Sequence, residues 1–262
     1  MLSHHTLKLI RSLDSRKGRS REGLFVAEGP KLVGELLATL RCERLFATNE
    51  WLRDHAQQAA RVQRDGGSVE EVTPEELARA SFLQTPQQVL ALFGIPSYQV
   101  DVDEALSTRL NLALDEVQDP GNLGTIVRVA DWFGIEDIWC SQGTADIWNP
   151  KAVQATMGGL ARVRVHYIDL YGLLASRAED VPVYGTSLSG TNLWQLPLQP
   201  HGIIVMGNEG RGVSAAVDAL CTQRLFIPSF PPERTTTESL NVAMATGIVL
   251  AEFRRRTNPD SL

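Results

Sequence analysis

Three stretches of this 262-residue chain carry residue types and spacings that can do chemistry. In LALDEVQDPGNLGTIVRVADWFG (residues 112–134) an apolar run ends in acids and a Pro-Gly-Asn turn opens a helical pattern. Such a turn aims free backbone N–H groups and the positive end of a helix dipole at whatever binds there, and phosphates suit it. Arg128 would add a fixed cation. The same residues also serve ordinary ends, Asn122 as an N-cap and Arg128 as a solvated helix residue. In IIVMGNEGRGVS (203–214) the glycines Gly207, Gly210 and Gly212 follow a strand pattern in the order G-x-x-G-x-G. That differs from the dinucleotide fingerprint, and no Walker Lys-Ser/Thr follows. A tight turn accounts for it, as does close approach of a flat ligand to bare backbone beside Glu209. In FIPSFPPERTTTESLNVAMATGIVLAEF (226–253) Ser239 and Asn241 open a long terminal helix, either as caps or as site groups.

Other chemistries find little support. The five histidines (His4, His5, His55, His166, His201) form no HExxH or HxE arrangement, and there is no GxSxG elbow. Cys42, Cys140 and Cys221 are odd in number, far apart and without metal-ligand spacing, so no metal is expected and a reducing cytoplasm fits. No apolar run approaches a membrane span of roughly 20 residues. The net charge of −6 argues against an indiscriminate nucleic-acid binder. Charge is uneven, however: between Lys8 and Lys31 stand Lys8, Arg11, Arg16, Lys17, Arg19, Arg21 and Lys31 against three acids, a local balance of +4. By itself such a run is as readily a solvated face as a binding surface.

The elements that must position these residues form two α/β series. In the first, the periodicity predicts helices over 30–40 and 50–64, strands over 44–48, 68–72 and 89–93, and a helix capped by Thr73 with Pro74 and Glu76 in its first turn. The polar, Pro-containing stretch after residue 94 reads as a linker. In the second, strands are predicted over 110–115, 135–140, 163–166, 181–186, 202–207 and 224–227, separated mostly by helical patterns, the signature of a largely parallel sheet covered on both faces. Function belongs at the carboxyl ends of those strands. Leu240, Met244, Gly247, Ile248 and Ala251 form an apolar stripe on the terminal helix. Its small residues, Ala243, Ala245, Gly247 and Ala251, allow close approach of another helix, from this chain or a second copy.

In this order, DPGNLGTIVRVADWFG, VMGNEGRGVS and IPS…ESLNVAMATGI resemble the three motifs of the SpoU (TrmH) family of SPOUT RNA methyltransferases. NPKAVQATMGG (149–159) resembles the region between motifs one and two, and IRSLDSRKGRSREGLFVAEGPKLVGELL resembles an N-terminal L30e-like substrate-binding domain. The resemblance implies an α/β chain with a smaller L30e-like domain over 1–96, a linker over 97–107, and a C-terminal trefoil-knotted (SPOUT) parallel-sheet methyltransferase domain over 108–262. It implies S-adenosyl-L-methionine as cofactor, held by the loop after Tyr184 (Gly185, Thr186) and by Gly207, Ile227, Pro228 and Leu240. Asn122, Arg128, Glu209, Ser239 and Asn241 match the family's functional positions. The implied reaction is methylation of a ribose 2′-hydroxyl in structured RNA, ribosomal RNA ahead of transfer RNA, by a homodimer joined through the C-terminal domain. A non-catalytic RNA-binding or assembly protein is the alternative. The resemblance also turns the basic run into an expected RNA contact. The loop over 228–239 is longer than the family's compact version, and Arg234 within it is a further candidate RNA contact. The family's usual proposal makes the arginine at Arg128 a general base. Arginine titrates at about 12.5 or above, so neutralising one at pH 7 costs on the order of 7 kcal/mol. Arg128 is therefore expected to stay charged, as a phosphate anchor and stabiliser of developing alkoxide charge.

Overall fold

The computed structural model describes residues 2–231, 235 and 237–257. Arg234 lies outside them. The chain divides into two units, residues up to Ser97 together with Asp146–Arg162, and Tyr98–Ala145 together with the chain from Val163 onward.

The first unit opens with two short helices inside the basic run, α1 (His4–Ser12) and α2 (Arg16–Glu22). Ser3 and Ser15 cap them, each accepting a backbone N–H at 3.0 Å. Leu7 and Ile10 turn inward while Lys8 and Arg11 stay exposed. Gly18 fits the corner between the helices because a Cβ there would lie 1.8 Å from the Ser12 carbonyl oxygen. There follow β1 (Leu24–Glu28), α3 (Pro30–Leu37), β2 (Cys42–Ala47), α4 (Asn49–Asp54), α5 (Ala56–Arg64), β3 (Ser68–Glu71), α6 (Pro74–Ala80) and β4 (Val89–Gly94). The single helix expected over 50–64 is two, broken at His55, whose backbone leaves the helical region. The strand order is β1-β4-β2-β3, antiparallel except for β2 with β3. Ile10, Leu13, Val26, Phe46, Leu77, Leu90 and Leu92 meet in its core.

The second unit begins with α7 (Val102–Thr108), inside the stretch expected as linker; Asp101 caps it, and Ala105 and Leu106 are buried. It continues through β5 (Leu110–Leu114), α8 (Pro120–Trp132) and β6 (Asp137–Ser141). Next comes α9 (Pro150–Ala155), in the segment that groups with the first unit. That segment lies within the span 108–262 expected of the methyltransferase domain, and its grouping with the first unit has a physical basis. Asp146 takes two hydrogen bonds from Arg19, at 2.6 and 3.0 Å, and Trp148 packs on Phe25 with ring centroids 4.7 Å apart.

The chain then adds β7 (Arg164–Ile168), α10 (Leu170–Ser176), β8 (Val183–Asn192), β9 (Gly202–Met206), α11 (Ala215–Asp218), β10 (Gln223–Phe226) and α12 (Val242–Thr257). Among the described residues its strands lie in the order β10-β8-β9-β5-β6-β7, all parallel. Every residue of β5 and β9 is buried, which explains their unbroken apolar runs. The strand order reverses beside β5, between β6 on one side and β9 on the other, so a crevice opens at their carboxyl ends. The helix α12 packs on α8: a Cβ on Gly247 would stand 3.8 Å from Val129 Cγ1. Arg254 closes the far end of α8 by donating to the carbonyls of Phe133 (2.7 Å) and Gly134 (2.9 Å). Among the described residues no helix is long and apolar enough to cross a membrane.

Candidate active site

Motifs one and two leave adjacent strands, and polar groups join their loops. After β5, Asp115 is buried and its Oδ2 accepts the Ser214 N–H at 2.8 Å. The Glu116 carbonyl accepts from Asn208 Nδ2 at 2.8 Å, and its carboxylate pairs with Arg211. The Asn208 side-chain oxygen takes the N–H groups of Gly210 and Arg211 at 3.0 and 3.1 Å, which closes the glycine turn on itself. Gly207 is required there, since a Cβ would stand 2.2 Å from the Gly212 carbonyl carbon and Val213 nitrogen.

Asp119, rather than Asn122, caps α8 by accepting the Asn122 N–H at 2.8 Å. The Asn122 side chain is thereby free for other work. Its Nδ2 donates to Glu209 Oε1 at 3.0 Å, and its Oδ1 accepts from Asn241 Nδ2 at 2.9 Å. Asn241 is also the cap of α12, its Oδ1 taking the Ala243 N–H at 2.9 Å. One side-chain relay therefore runs from motif three through motif one to motif two. Partial burial alone would push the Glu209 carboxyl up. The hydrogen bonds it accepts from Asn122 and from the N–H groups of Glu209, Gln118 and Asp119 outweigh that and hold it below the ordinary carboxylate value. Glu209 is therefore an acceptor that fixes the relay.

The structure does not bring Arg128 or Ser239 into the relay. Arg128 projects from the exposed face of α8, and no hydrogen bond or ion pair to its guanidinium occurs among the described residues. Ser239 is likewise exposed.

Gly185 and Thr186 lie within β8, which continues to Asn192, rather than in a loop after Tyr184. Gly185 sits in register with Val205 and Arg224, and the Thr186 hydroxyl donates to the Val205 carbonyl at 3.0 Å. The register then breaks between Arg224 and Leu225, so residues 186–190 bulge from the ladder. Ile227 and Pro228 follow β10 half-buried, and Leu240 precedes α12 half-exposed. Their residue types are ones that suit S-adenosylmethionine. The three apolar side chains offer surface to a flat ring, and Gly185 and Gly207, where a Cβ would collide with Cys221 and with the 212–213 backbone, leave backbone bare.

Of the basic residues, Lys8, Arg11, Arg16, Lys17, Arg21 and Lys31 are exposed. Arg19 is not. Its side chain is 3% exposed, donates to the carbonyls of Leu13 and Asp14 at 2.7 Å and ion-pairs with Asp146, so it holds the fold and does not face RNA. The sequence alone could not reveal the distant partner that buries it. Asp115, Asn208 and Ser214 also escaped the sequence reading, although the acids closing β5 and the Gly-Asn-Glu-Gly turn were the signals that mark them.

Comparison with known proteins adds family and relatives. The model of the SpoU rRNA Methylase family matches residues 109–251, and that of the MRM3-like substrate binding domain matches residues 4–91. The chain is 30% identical over 247 residues to the 23S rRNA (guanosine(2553)-2'-O)-methyltransferase RlmP of Bacillus subtilis (strain 168), covering 93% of this chain and 94% of that one. It is similar to the structure of a TrmH-family chain from Porphyromonas gingivalis, at 44% identity and a TM-score of 0.85, covering 98% of this chain and 100% of that one. It is also similar to an AdoMet-bound rRNA methyltransferase from Sinorhizobium meliloti, at 29% identity and a TM-score of 0.84, covering 97% and 96% of the two chains.

Proposed function

Because the chain belongs to the SpoU rRNA methylase family, we propose that it transfers the methyl group of S-adenosylmethionine to a ribose 2′-hydroxyl of ribosomal RNA. The observation that carries this reading is the relay Asn241–Asn122–Glu209, closed at the carboxyl ends of β5 and β9. The cofactor supplies an electrophilic methyl group on a sulfonium. Everything else is positioning, because an in-line displacement needs the 2′-oxygen near 3 Å from the methyl carbon and opposite the leaving sulfur. Gly185, Thr186, Gly207, Ile227, Pro228 and Leu240 form the cofactor cradle. Asn122, Asn241 and Ser239 orient the ribose, while Glu209 holds the motif-two turn against motif one. Arg128, exposed and unpaired among the described residues, stays charged, binds the phosphate beside the target ribose and stabilises the alkoxide that develops as the 2′-proton passes to solvent water.

Lys8, Arg11, Arg16, Lys17, Arg21 and Lys31 make the RNA-binding face of the N-terminal unit. The enzyme works in the cytoplasm as a homodimer. Intrachain packing of α12 uses Val242, Ala243, Thr246, Val249, Leu250 and Phe253, all buried, and leaves Leu240 and Met244 exposed with Trp132 of α8 at 85%. An outward apolar surface of this kind suits a second copy.

The decisive measurement is transfer of labelled methyl from S-adenosylmethionine to ribosomal RNA from a strain lacking the gene, followed by nuclease digestion. A 2′-O-methyl nucleoside is expected. A base-methylated nucleoside, transfer only to transfer RNA, or no binding of S-adenosylmethionine in calorimetry would each overturn the reading. Arg128→Lys tests the role of that residue: a wild-type rate with the pH profile displaced downward would favour proton abstraction over phosphate anchoring.

A further inference from the structure

Glu116 is a non-glycine residue with a left-handed backbone, φ 59°. That conformation is uncommon for a side chain of this kind and carries a cost. Its N–H donates to Ser141 Oγ at 2.9 Å and its carbonyl accepts from Asn208, contacts that a glycine would make equally well. What glutamate adds is the carboxylate, which pairs with Arg211. Arg211 is 68% exposed, and an ion pair so exposed contributes little stability. Stability therefore does not account for a glutamate at this position.

Location does. Arg211 is two residues from Glu209 on the turn that docks against motif one. The surrounding carboxylates are already engaged, Asp115 by the Ser214 N–H, Asp119 by the Asn122 N–H, and Glu209 by Asn122. An RNA strand arriving here meets a rim rich in acids on a chain of net charge −6. Glu116 contacts Arg211 through Nη2, and Arg211 has no other side-chain hydrogen bond among the described residues. A guanidinium presents five donors in a planar fork, so it can keep a carboxylate on one nitrogen and offer another edge to phosphate oxygens.

We propose that Arg211 is a substrate-binding residue that takes an RNA backbone phosphate at the rim of the active site. Glu116 is the positioning residue that holds the Arg211 guanidinium ready. This rests on the RNA methyltransferase reading above and adds to it a phosphate contact distinct from Arg128.

The test uses the full-length protein, ribosomal RNA from a strain lacking the gene, labelled S-adenosylmethionine, and filter binding of RNA across a salt series. Arg211→Ala is expected to raise the RNA KM about tenfold and to reduce the log-affinity against log-salt slope by about one, the signature of one lost phosphate contact. Cofactor affinity and melting temperature stay at wild-type values, and Arg211→Lys keeps the salt slope. Glu116→Gly relieves the backbone, so its melting temperature is not lowered, yet its RNA KM rises. In combination with Arg211→Ala it adds nothing further. An Arg211→Ala protein with wild-type RNA KM and salt slope overturns the proposal, as does a Glu116→Gly effect that persists in full without Arg211. Those outcomes leave the wild-type enzyme methylating RNA. A wild type that transfers no methyl group to RNA overturns the functional reading itself, and the proposal with it.

Discussion

The side chains of Asn122 and Asn241, 119 residues apart in sequence, meet head to tail, Nδ2 of Asn241 donating to Oδ1 of Asn122 at 2.9 Å. Two residues that each look like an ordinary cap are thereby one unit. Replacing Asn122 by Ala is expected to lower kcat by about 100-fold, as loss of an oriented polar group at a reacting centre does. Asn241→Ala loses that contact together with a helix cap worth about 1 kcal/mol, so it also melts earlier. The double variant is expected to be no slower than the worse single one, because both break the same relay. Single-turnover rates and thermal melts of the three proteins check this; independent, multiplying losses would contradict it.

Arg19 and its basic neighbours separate cleanly by experiment. Arg19→Ala leaves Asp146 with its main partner gone in a largely buried setting, and is expected to cost about 3–5 kcal/mol of stability. Lys17→Ala, a few residues away and exposed, is expected to leave the melting temperature alone while weakening RNA binding and lowering its salt dependence. Denaturant unfolding paired with filter binding reads both effects.

At the amino ends of β6 and β7, Asp137 is nearly fully buried and accepts from Arg164 at 2.6 and 2.7 Å and meets His166 Nε2 at 2.8 Å. Burial alone would raise its carboxyl. The hydrogen bonds from His166 and Arg164, and the charges behind them, outweigh that and hold it below the ordinary value. A carboxyl held low in the folded chain stabilises fully above its unfolded value of about 3.9 and loses that contribution as pH falls through the folded value. Asp137→Asn is expected to cost about 3 kcal/mol at neutral pH, the lower end for buried pairs because Arg164 is partly exposed. Melting curves of the two proteins should converge below about pH 4; a constant gap down to pH 2 would refute the assignment.

Gly207→Ala puts a methyl group 2.2 Å from backbone atoms at positions 212 and 213. Backbone cannot yield as a flexible side-chain end can, so the turn must open. Loss of cofactor binding in calorimetry is expected even if the rest of the chain still folds cooperatively.

The sheet that carries the site was largely legible. Strands buried on both faces, β5 and β9 above all, announce themselves as unbroken apolar runs between turn residues. Some elements whose burial is one-sided or whose length depends on a neighbour were not. The helices α1 and α2 hide in a basic run, α7 in an acidic stretch, and β8 outlasts its apolar portion by bulging against β10. At the site, residue types were readable but partnerships were not. Nothing local in sequence says that Asp119 caps α8 so that Asn122 is released, or that Arg19 finds Asp146. Those are decided by groups far along the chain.

The grip of Arg19 on Asp146 has a consequence for the order of events on the ribosome. Chains emerge from the amino end, and domains ordinarily fold as soon as they are out. Here the amino-terminal unit lacks Asp146, Trp148 and α9 until β5, α8 and β6 have already been made. Its completion waits for material encoded well past its apparent end. A laboratory graft that moves only residues 1–97 onto another enzyme would carry an arginine whose counter-ion was left behind.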